Sequence, residues 1–293
     1  MTKPALFRRV SLVGLGLIGG SWGLALKQRG FAGRITGCDQ PAVLDRALAL
    51  GAIDRAEPEL ATAVRGADLV ILAVPVGVIL EQLASVWEAA SPGALVTDTG
   101  STKRVIMDRA RGLFGRDPLF VGGHPLAGKE QSGIENAENT LFEGTCYIVS
   151  PLNPADLDDD RVIELRRLIE SMGALPYICD AETHDHTLAF FSHLPQLLST
   201  GLASVVAEED KVRPLPLDLA AAGFRDMTRL AESPYTIWRD ICSTNEDKLR
   251  QALDVMIRKL ETIKGQLTEG TLEHEFEQGR ALRECWRKLK ICD

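Results

Sequence analysis

The stretch from Val10 to Ser21, V-S-L-V-G-L-G-L-I-G-G-S, constrains the fold of this chain more than any other. The apolar residues before the glycines predict a buried strand, and residues 21–29 predict a helix. Between them, Gly14, Gly16 and Gly19 have the spacing G-x-G-x-x-G. In such a turn the first glycine permits a tight bend, the second lets the backbone approach a pyrophosphate, and the third lets helix and strand pack closely. The stretch therefore predicts a dinucleotide-binding site.

A carboxylate follows the second predicted strand, which covers residues 34–39 and ends in Asp39. At this position it is expected to accept hydrogen bonds from the adenosine ribose hydroxyls. Asp39 would repel a 2′-phosphate and Gln40 offers no positive charge to offset that repulsion, so we expect NAD rather than NADP. The helix N-terminus adds N–H groups for the phosphates. The residues expected to bind the cofactor are Gly14, Gly16, Leu17, Ile18, Gly19, Asp39, Val74 and Pro75.

The order of apolar segments predicts two domains and an α/β fold. Further strands are predicted at 67–75, 94–98, 119–122, 145–150 and 175–179, with helices between them. This alternation is typical of a Rossmann-like, doubly wound sheet that binds ligands at the carboxyl ends of its strands. Beyond about residue 180 only helical patterns continue, one of them interrupted by Pro195. We therefore predict a dinucleotide-binding domain over 1–180 and a helical substrate and dimerisation domain over 181–293.

Two features of the helical part bear on its packing. Ser243 and Glu246 have the S-x-x-E pattern of a capping box ahead of a helix. On that helix an apolar stripe runs from Leu249 to Ile263, which is typical of a core or a subunit interface. Because these helices carry more apolar surface than a small domain covers, we expect a homodimer.

Composition limits the partners. The 293 residues carry a net charge of −8, so no global basic field attracts nucleic acid or a membrane surface. The chain shows neither a signal-peptide pattern nor an apolar run near the ~20 residues that span a bilayer. Its six cysteines include no C-x-x-C pair, which fits reduced thiols in the cytoplasm. An anionic substrate must therefore be held by local cations.

Three polar stretches are candidates for chemistry. Residues 98–103 (D-T-G-S-T-K) follow a predicted strand and should face the binding crevice, although Ser101 or Thr102 could equally cap the next helix. Residues 122–128 (G-G-H-P-L-A-G) place His124 directly after another strand. Residues 222–229 carry two arginines four positions apart, which on a surface usually pair with carboxylates. We expect no metal at His184 and His186, because residues two apart on a helix face different ways.

Taken in order, these motifs carry a family resemblance. The glycine loop with Asp39, then G-S-T-K, G-G-H-P-x-A-G, S-H-L-P at 192–195 and G-F-R-D-x-T-R resemble the prephenate/arogenate dehydrogenase family over about residues 10–238. The resemblance implies that His124 is the catalytic base, with Ser101 beside it, and that Arg225 grips a substrate carboxylate. It implies that Ser101 and His193 line the same pocket. His184 and Asp185 also look like this family's pattern ahead of S-H-L-P.

The same resemblance implies an activity: NAD-dependent oxidative decarboxylation of prephenate to 4-hydroxyphenylpyruvate, of arogenate to tyrosine, or of both, in tyrosine biosynthesis. The sequence leaves open which substrate is used and whether tyrosine is a feedback inhibitor. From the length of the chain we expect neither the regulatory C-terminal domain nor the fused mutase of some relatives. Two alternatives stay open. One is another NAD-dependent hydroxyacid dehydrogenase, although we find no candidate for its catalytic lysine in the helical part. The other is a non-catalytic dinucleotide-binding sensor, which would need neither His124 nor Arg225.

Overall fold

The computed structural model describes residues 6–129 and 131–288, which form two compact units. The first unit extends to His184 and the second begins at Asp185. The strands are β1 (Arg9–Val13), β2 (Arg34–Cys38), β3 (Arg55–Ala56), β4 (Leu69–Leu72), β5 (Leu95–Asp98), β6 (Leu119–Pro125), β7 (Cys146–Pro151) and β8 (Leu175–Ile178). The α-helices are α1 (Leu17–Gln28), α2 (Pro41–Ala49), α3 (Leu60–Val64), α4 (Val76–Ala89), α5 (Arg104–Arg111), α6 (Asp160–Ser171), α7 (Ala181–Leu188), α8 (Leu194–Val212), α9 (Ala222–Thr228), α10 (Tyr235–Thr244), α11 (Glu246–Glu269) and α12 (Glu273–Lys288).

The first unit is built on an eight-stranded sheet in the order β3-β2-β1-β4-β5-β6-β7-β8. Strands β1 to β6 are parallel, and their order is that of the dinucleotide-binding fold. The predicted Rossmann-like sheet is therefore confirmed. Strand β7 runs antiparallel to β6, and β8 is parallel to β7. Because β1, β2, β4, β5 and β6 share one direction, their carboxyl ends meet at one edge of the sheet.

The central strands are buried on both faces. All four residues of β4 are buried, which explains why this strand reads as a continuous apolar run. One face packs against a cluster that includes Leu12, Trp22 and Phe142. The other face packs against a cluster that includes Val96 and Phe120. These two cores cover both faces of the sheet beneath the loops at its carboxyl edge.

The second unit is helical, as the sequence predicts, and its core is small. Ala189, Leu194 and Ala252 form its buried apolar cluster. Residues Ala189–His193 form a π-helical turn between α7 and α8, and Pro195 lies in the first turn of α8, where its missing N–H is tolerated. Among the described helices, none is long and apolar enough to cross a bilayer.

Two capping interpretations are wrong. Ser243 lies inside α10, and its hydroxyl donates to the Asp240 carbonyl oxygen at 3.0 Å, which is the local hydrogen bond that competes with capping. Asn245 instead precedes α11. At the other position, α5 begins only at Arg104, so neither Ser101 nor Thr102 is its capping residue.

Candidate active site

The glycine loop has the shape that a dinucleotide needs. Gly14 follows β1 with φ of +88°, and a Cβ there would lie 2.5 Å from the Ala73 carbonyl oxygen. A Cβ on Gly19 would lie 1.9 Å from the Gly14 carbonyl oxygen. The space beside Gly16 is open to at least 4 Å, and α1 begins at the next residue, Leu17. The backbone at Gly16 and the helix N-terminus are therefore available to a pyrophosphate.

Asp39 lies at the carboxyl end of β2, beside this loop. Its carboxylate accepts hydrogen bonds from the backbone N–H groups of Leu15 and Gln40, each at 2.7 Å. It also lines a pocket of about 250 Å³, which is bounded by Leu15, Gly16, Asp39, Ala42, Val43, Gly133, Ile134 and Glu135. Burial, with a smaller contribution from Asp39, raises the pKa of the neighbouring Cys38 thiol to about 11. The pocket therefore presents the carboxylates of Asp39 and Glu135, and the thiol of Cys38 beside Asp39 stays neutral at neutral pH.

Val74 and Pro75 follow β4 on the other side of the loop. A Cβ on Gly14 would lie 2.6 Å from Cγ1 of Val74, so these two residues are close neighbours. Pro75 directly precedes α4. The expected cofactor residues thus surround one loop. Because glycine is required at two of its positions and a carboxylate flanks it, the residues present fit a bound dinucleotide.

A buried ion pair organises the carboxyl end of β5. The Asp98 carboxylate accepts a hydrogen bond from the Lys103 ammonium, and both side chains are fully buried. Asp98 also accepts from the backbone N–H of Gly100 at 2.8 Å and of Gly123 at 3.1 Å. The expectation that this stretch faces an open crevice is therefore wrong for Asp98 and Lys103. Ser101, between them in the loop, is only partly buried.

His124 is part of β6 rather than of the loop after it, and it lies opposite Ile148 of β7. Its side chain is buried, with 9% of the residue exposed. Nδ1 of His124 lies 2.8 Å from Nε2 of His184, which is fully buried. The phenol of Tyr147 is also buried near here, and burial, together with Asp98, holds its pKa far above the usual value. The first unit therefore brings the glycine loop, Ser101 and His124 to the same edge of the sheet.

The second unit contains the other expected substrate residues. His193, 1% exposed, ends the π-helical turn, and its ring packs edge-on against Trp238 at 5.9 Å between centroids. Nδ2 of Asn245 donates to the Asp185 carbonyl oxygen at 2.8 Å and faces Nδ1 of His193 at 3.3 Å. Since the Asp185 carbonyl oxygen can only accept, the Asn245 atom that faces it must be the amide nitrogen. That nitrogen can only donate, so Nδ1 of His193, which also faces it, must accept. The ring proton of neutral His193 is then on Nε2.

Arg225 lies on α9 with 76% of its side chain exposed, and its Nε is 3.3 Å from the Asp226 carboxylate. Such an exposed pair adds little stability, so the guanidinium can exchange partners at small cost. Arg229 follows the end of α9 and begins a 3₁₀ turn, so the two arginines belong to different helical elements.

The parallel sheet, the glycine loop and Asp39 define a dinucleotide-binding domain, and comparison with known proteins shows that it belongs to an NAD-dependent oxidoreductase. Two family models match the chain: "Prephenate dehydrogenase, nucleotide-binding domain" over residues 22–177 and "Prephenate dehydrogenase, dimerization domain" over residues 180–280. The chain therefore belongs to the prephenate dehydrogenase family.

Individual proteins that the chain resembles support the same family. The chain is 34% identical over 282 residues to the prephenate dehydrogenase of Lactococcus lactis subsp. cremoris, covering 94% of this chain and 77% of that protein. It is 33% identical over 282 residues to the cyclohexadienyl dehydrogenase of Zymomonas mobilis, covering 94% and 95%. The crystal structure of prephenate dehydrogenase from Aquifex aeolicus with hydroxyphenyl propionate and NAD⁺ matches with a TM-score of 0.87 and 28% identity, covering 98% of this chain and all of that one.

Sequence reasoning missed three members of this arrangement. The Asp98–Lys103 ion pair and the contact of His184 with His124 join residues whose partnership no local pattern reveals. Asn245 was passed over because the S-x-x-E pattern around it suggested a cap. An amide side chain directly before a long helix was the one signal in the sequence for it.

Proposed function

We propose that this chain catalyses the NAD-dependent oxidative decarboxylation of prephenate, of arogenate, or of both, as a step in tyrosine biosynthesis. The observation that carries the proposal is His124, a buried imidazole on the same sheet edge as the glycine loop. A nucleotide sensor has no need of such a group. The relatives named prephenate and cyclohexadienyl dehydrogenase support this substrate class.

The chemistry explains why a base is needed. The substrate ring has a hydroxyl on one carbon and a carboxylate on the opposite one. Bound NAD supplies the acceptor for the hydride of the carbinol carbon. His124 takes the hydroxyl proton on Nε2 as the carbinol carbon becomes a carbonyl carbon. The ring carboxylate then leaves as CO₂, its electron pair makes the ring aromatic, and the oxygen regains a proton to give the phenol. A correctly placed base of this kind contributes ~10²–10⁴ in rate.

Arg225 is the proposed cation for a substrate carboxylate. The chain carries a net charge of −8, so a dicarboxylate needs a local cation to offset its desolvation. The exposed guanidinium of Arg225 has the planar fork that suits a carboxylate, and it can give up its exposed pair with Asp226 at small cost. We assign the remaining substrate contacts to Ser101 and to His193, whose Nε2–H is a donor.

We further propose that the protein is a cytoplasmic homodimer. The C-terminal match is to a dimerization domain. Helix α12 has no buried residue, and Phe276 and Leu282 on it are 75% and 70% exposed, as is expected of helices that pack against a second copy. Cys38, Cys242 and Cys285 carry thiols, which fits a reducing compartment. Light scattering should give twice the 31.9 kDa of one chain; a monomer at micromolar concentration would count against the dimer.

The test of the activity is a steady-state assay with prephenate and arogenate side by side, each with NAD. We expect NADH absorbance to grow with at least one of them. Absence of turnover with both, from protein that binds NAD, would refute the proposal. Adding tyrosine to the same assay decides whether it is a feedback inhibitor.

A further inference from the structure

Two histidines, His124 and His184, share a hydrogen bond in the first unit. Nδ1 of His124 and Nε2 of His184 are 2.8 Å apart, and the ring centroids are 5.1 Å apart with the planes at 56°. His184 is fully buried and His124 nearly so. Only one proton fits between two nitrogens at this distance, so one ring must donate and the other must accept. When both rings are neutral, the tautomer of one ring therefore determines the tautomer of the other.

We propose that His184 is a positioning residue for the decarboxylating dehydrogenation, with its Nε2 accepting the Nδ1–H of His124. This arrangement leaves Nε2 of His124 without a proton, which is the state that a base requires. With the opposite polarity, His184 would donate and neutral His124 would carry its proton on Nε2, where it could not accept the hydroxyl proton. The inference rests on the proposed function and on His124 as its base.

The chain holds both rings on rigid supports. Helix α7 is capped by Asp180, whose carboxylate accepts from the backbone N–H of Thr183 at 2.9 Å and from its hydroxyl at 2.7 Å. These two bonds lower the pKa of Asp180, so the cap stays charged at neutral pH. The segment before α7 is tied to β7 by the Ser150 hydroxyl, which donates to the Cys179 carbonyl oxygen at 2.6 Å. Since β7 pairs with β6, both histidines are anchored to the same two strands.

This hydrogen bond strengthens as the reaction proceeds. In the ground state it joins two neutral imidazoles and buries no charge. When Nε2 of His124 takes the hydroxyl proton, the ring becomes a cation that still donates through Nδ1 to His184, and such charge-assisted bonds are roughly twice as strong. An interaction that gains strength in the transition state raises kcat and leaves KM nearly unchanged. A merely structural contact would not separate the two constants in this way.

The tautomer can be measured directly on the wild-type protein. The chain has five histidines, so selective ¹⁵N labelling gives a long-range ¹H–¹⁵N spectrum that His124→Asn and His184→Gln assign. We expect neutral His124 to carry its proton on Nδ1. A proton on Nε2 of His124 would overturn the proposal, whatever the kinetics show.

Two variants test the consequence for catalysis. His184→Leu removes the acceptor, whereas His184→Gln keeps an oxygen that can accept from Nδ1–H. We expect His184→Leu to lower kcat by about 10–100-fold with little change in KM, and His184→Gln to recover most of the loss. His186→Leu is the matched control, because His186 is exposed on the same helix and packs edge-on against Phe190; we expect wild-type rates.

Equal activity of the Leu and Gln variants, or an effect on KM alone, would overturn the role of His184. If His184→Leu fails to fold, the Gln variant and the tautomer still decide. Failure of the proposed function would look different: prephenate and arogenate would give no NADH with the wild type, or His124→Asn would remain active.

Discussion

Replacing Asp98 by Asn tests the buried ion pair beneath the proposed site. Asp98 and Lys103 are both fully buried, and the carboxylate also accepts from two backbone N–H groups, of Gly100 and Gly123. An Asn side chain must turn one N–H group toward these donors, and it leaves the ammonium buried without its counter-charge. Removing one partner of a buried pair costs about 3–5 kcal/mol. At about 2–4 °C per kcal/mol for a unit of this size, Tm should fall by about 6–20 °C.

The assay is thermal and urea unfolding of wild type and variants, followed by kcat at a temperature where each is folded. Because Gly100 precedes Ser101 and Gly123 precedes His124, we also expect Asp98→Asn to lower kcat. The control is Glu246→Gln in the exposed pair with Arg250, which should change stability by less than about 1 kcal/mol. Adding Lys103→Met to Asp98→Asn removes the buried charge and should restore part of the loss. The reasoning is refuted if Asp98→Asn costs less than about 1 kcal/mol, or if the double variant is less stable than the single one.

Three further predictions concern the cofactor and substrate residues. Because Asp39 would repel a 2′-phosphate, kcat/KM should be higher with NAD than with NADP, and Asp39→Asn should reduce the ratio of the two values. Equal kcat/KM with the two cofactors in the wild type would contradict this prediction. His124→Asn should bind NAD and substrate normally, and its kcat should be lower by ~10²–10⁴-fold. The fall in activity that the wild type shows at acidic pH should be absent from this variant. Turnover within a few-fold of wild type would refute the assignment of His124 as the base. Arg225→Ala should raise KM for the substrate by an amount equivalent to about 2–5 kcal/mol, and Arg225→Lys should recover only part of the lost affinity. Arg229→Ala should raise KM less than Arg225→Ala does; if it raises KM more, Arg229 is the carboxylate ligand.

The parts of the fold that the sequence predicts are those with local signals. Strands buried on both faces, such as β4, are apolar throughout, and the turn at Gly14 and Gly19 accepts only glycine. Strand β3, with two residues, and helix α3, with five, are too short for periodicity to reveal them. The reversed direction of β7 was also missed, because a strand's composition does not encode which way it runs beside its neighbour.

The site residues that the sequence predicts are likewise those with local signals. His124 and Arg225 are recognisable because their neighbours in sequence form motifs, while Asp98 was expected to face a crevice and instead pairs with Lys103 inside the protein. His184 lies 60 residues from His124 in sequence, so only the folded sheet reveals their contact. Partnerships of this kind depend on tertiary packing and leave no trace in spacing.

The stoichiometry of the reaction gives the most direct test of the proposed activity. With NAD in excess and prephenate labelled with ¹³C in the ring carboxylate, NADH absorbance and labelled CO₂ are followed in one sample, and arogenate is treated in the same way. We expect one CO₂ for each NADH with at least one of the two substrates, and neither product from His124→Asn. NADH without CO₂ would indicate an ordinary hydroxyacid dehydrogenase, and NAD binding without either product would indicate a sensor; both results would contradict the decarboxylating dehydrogenase.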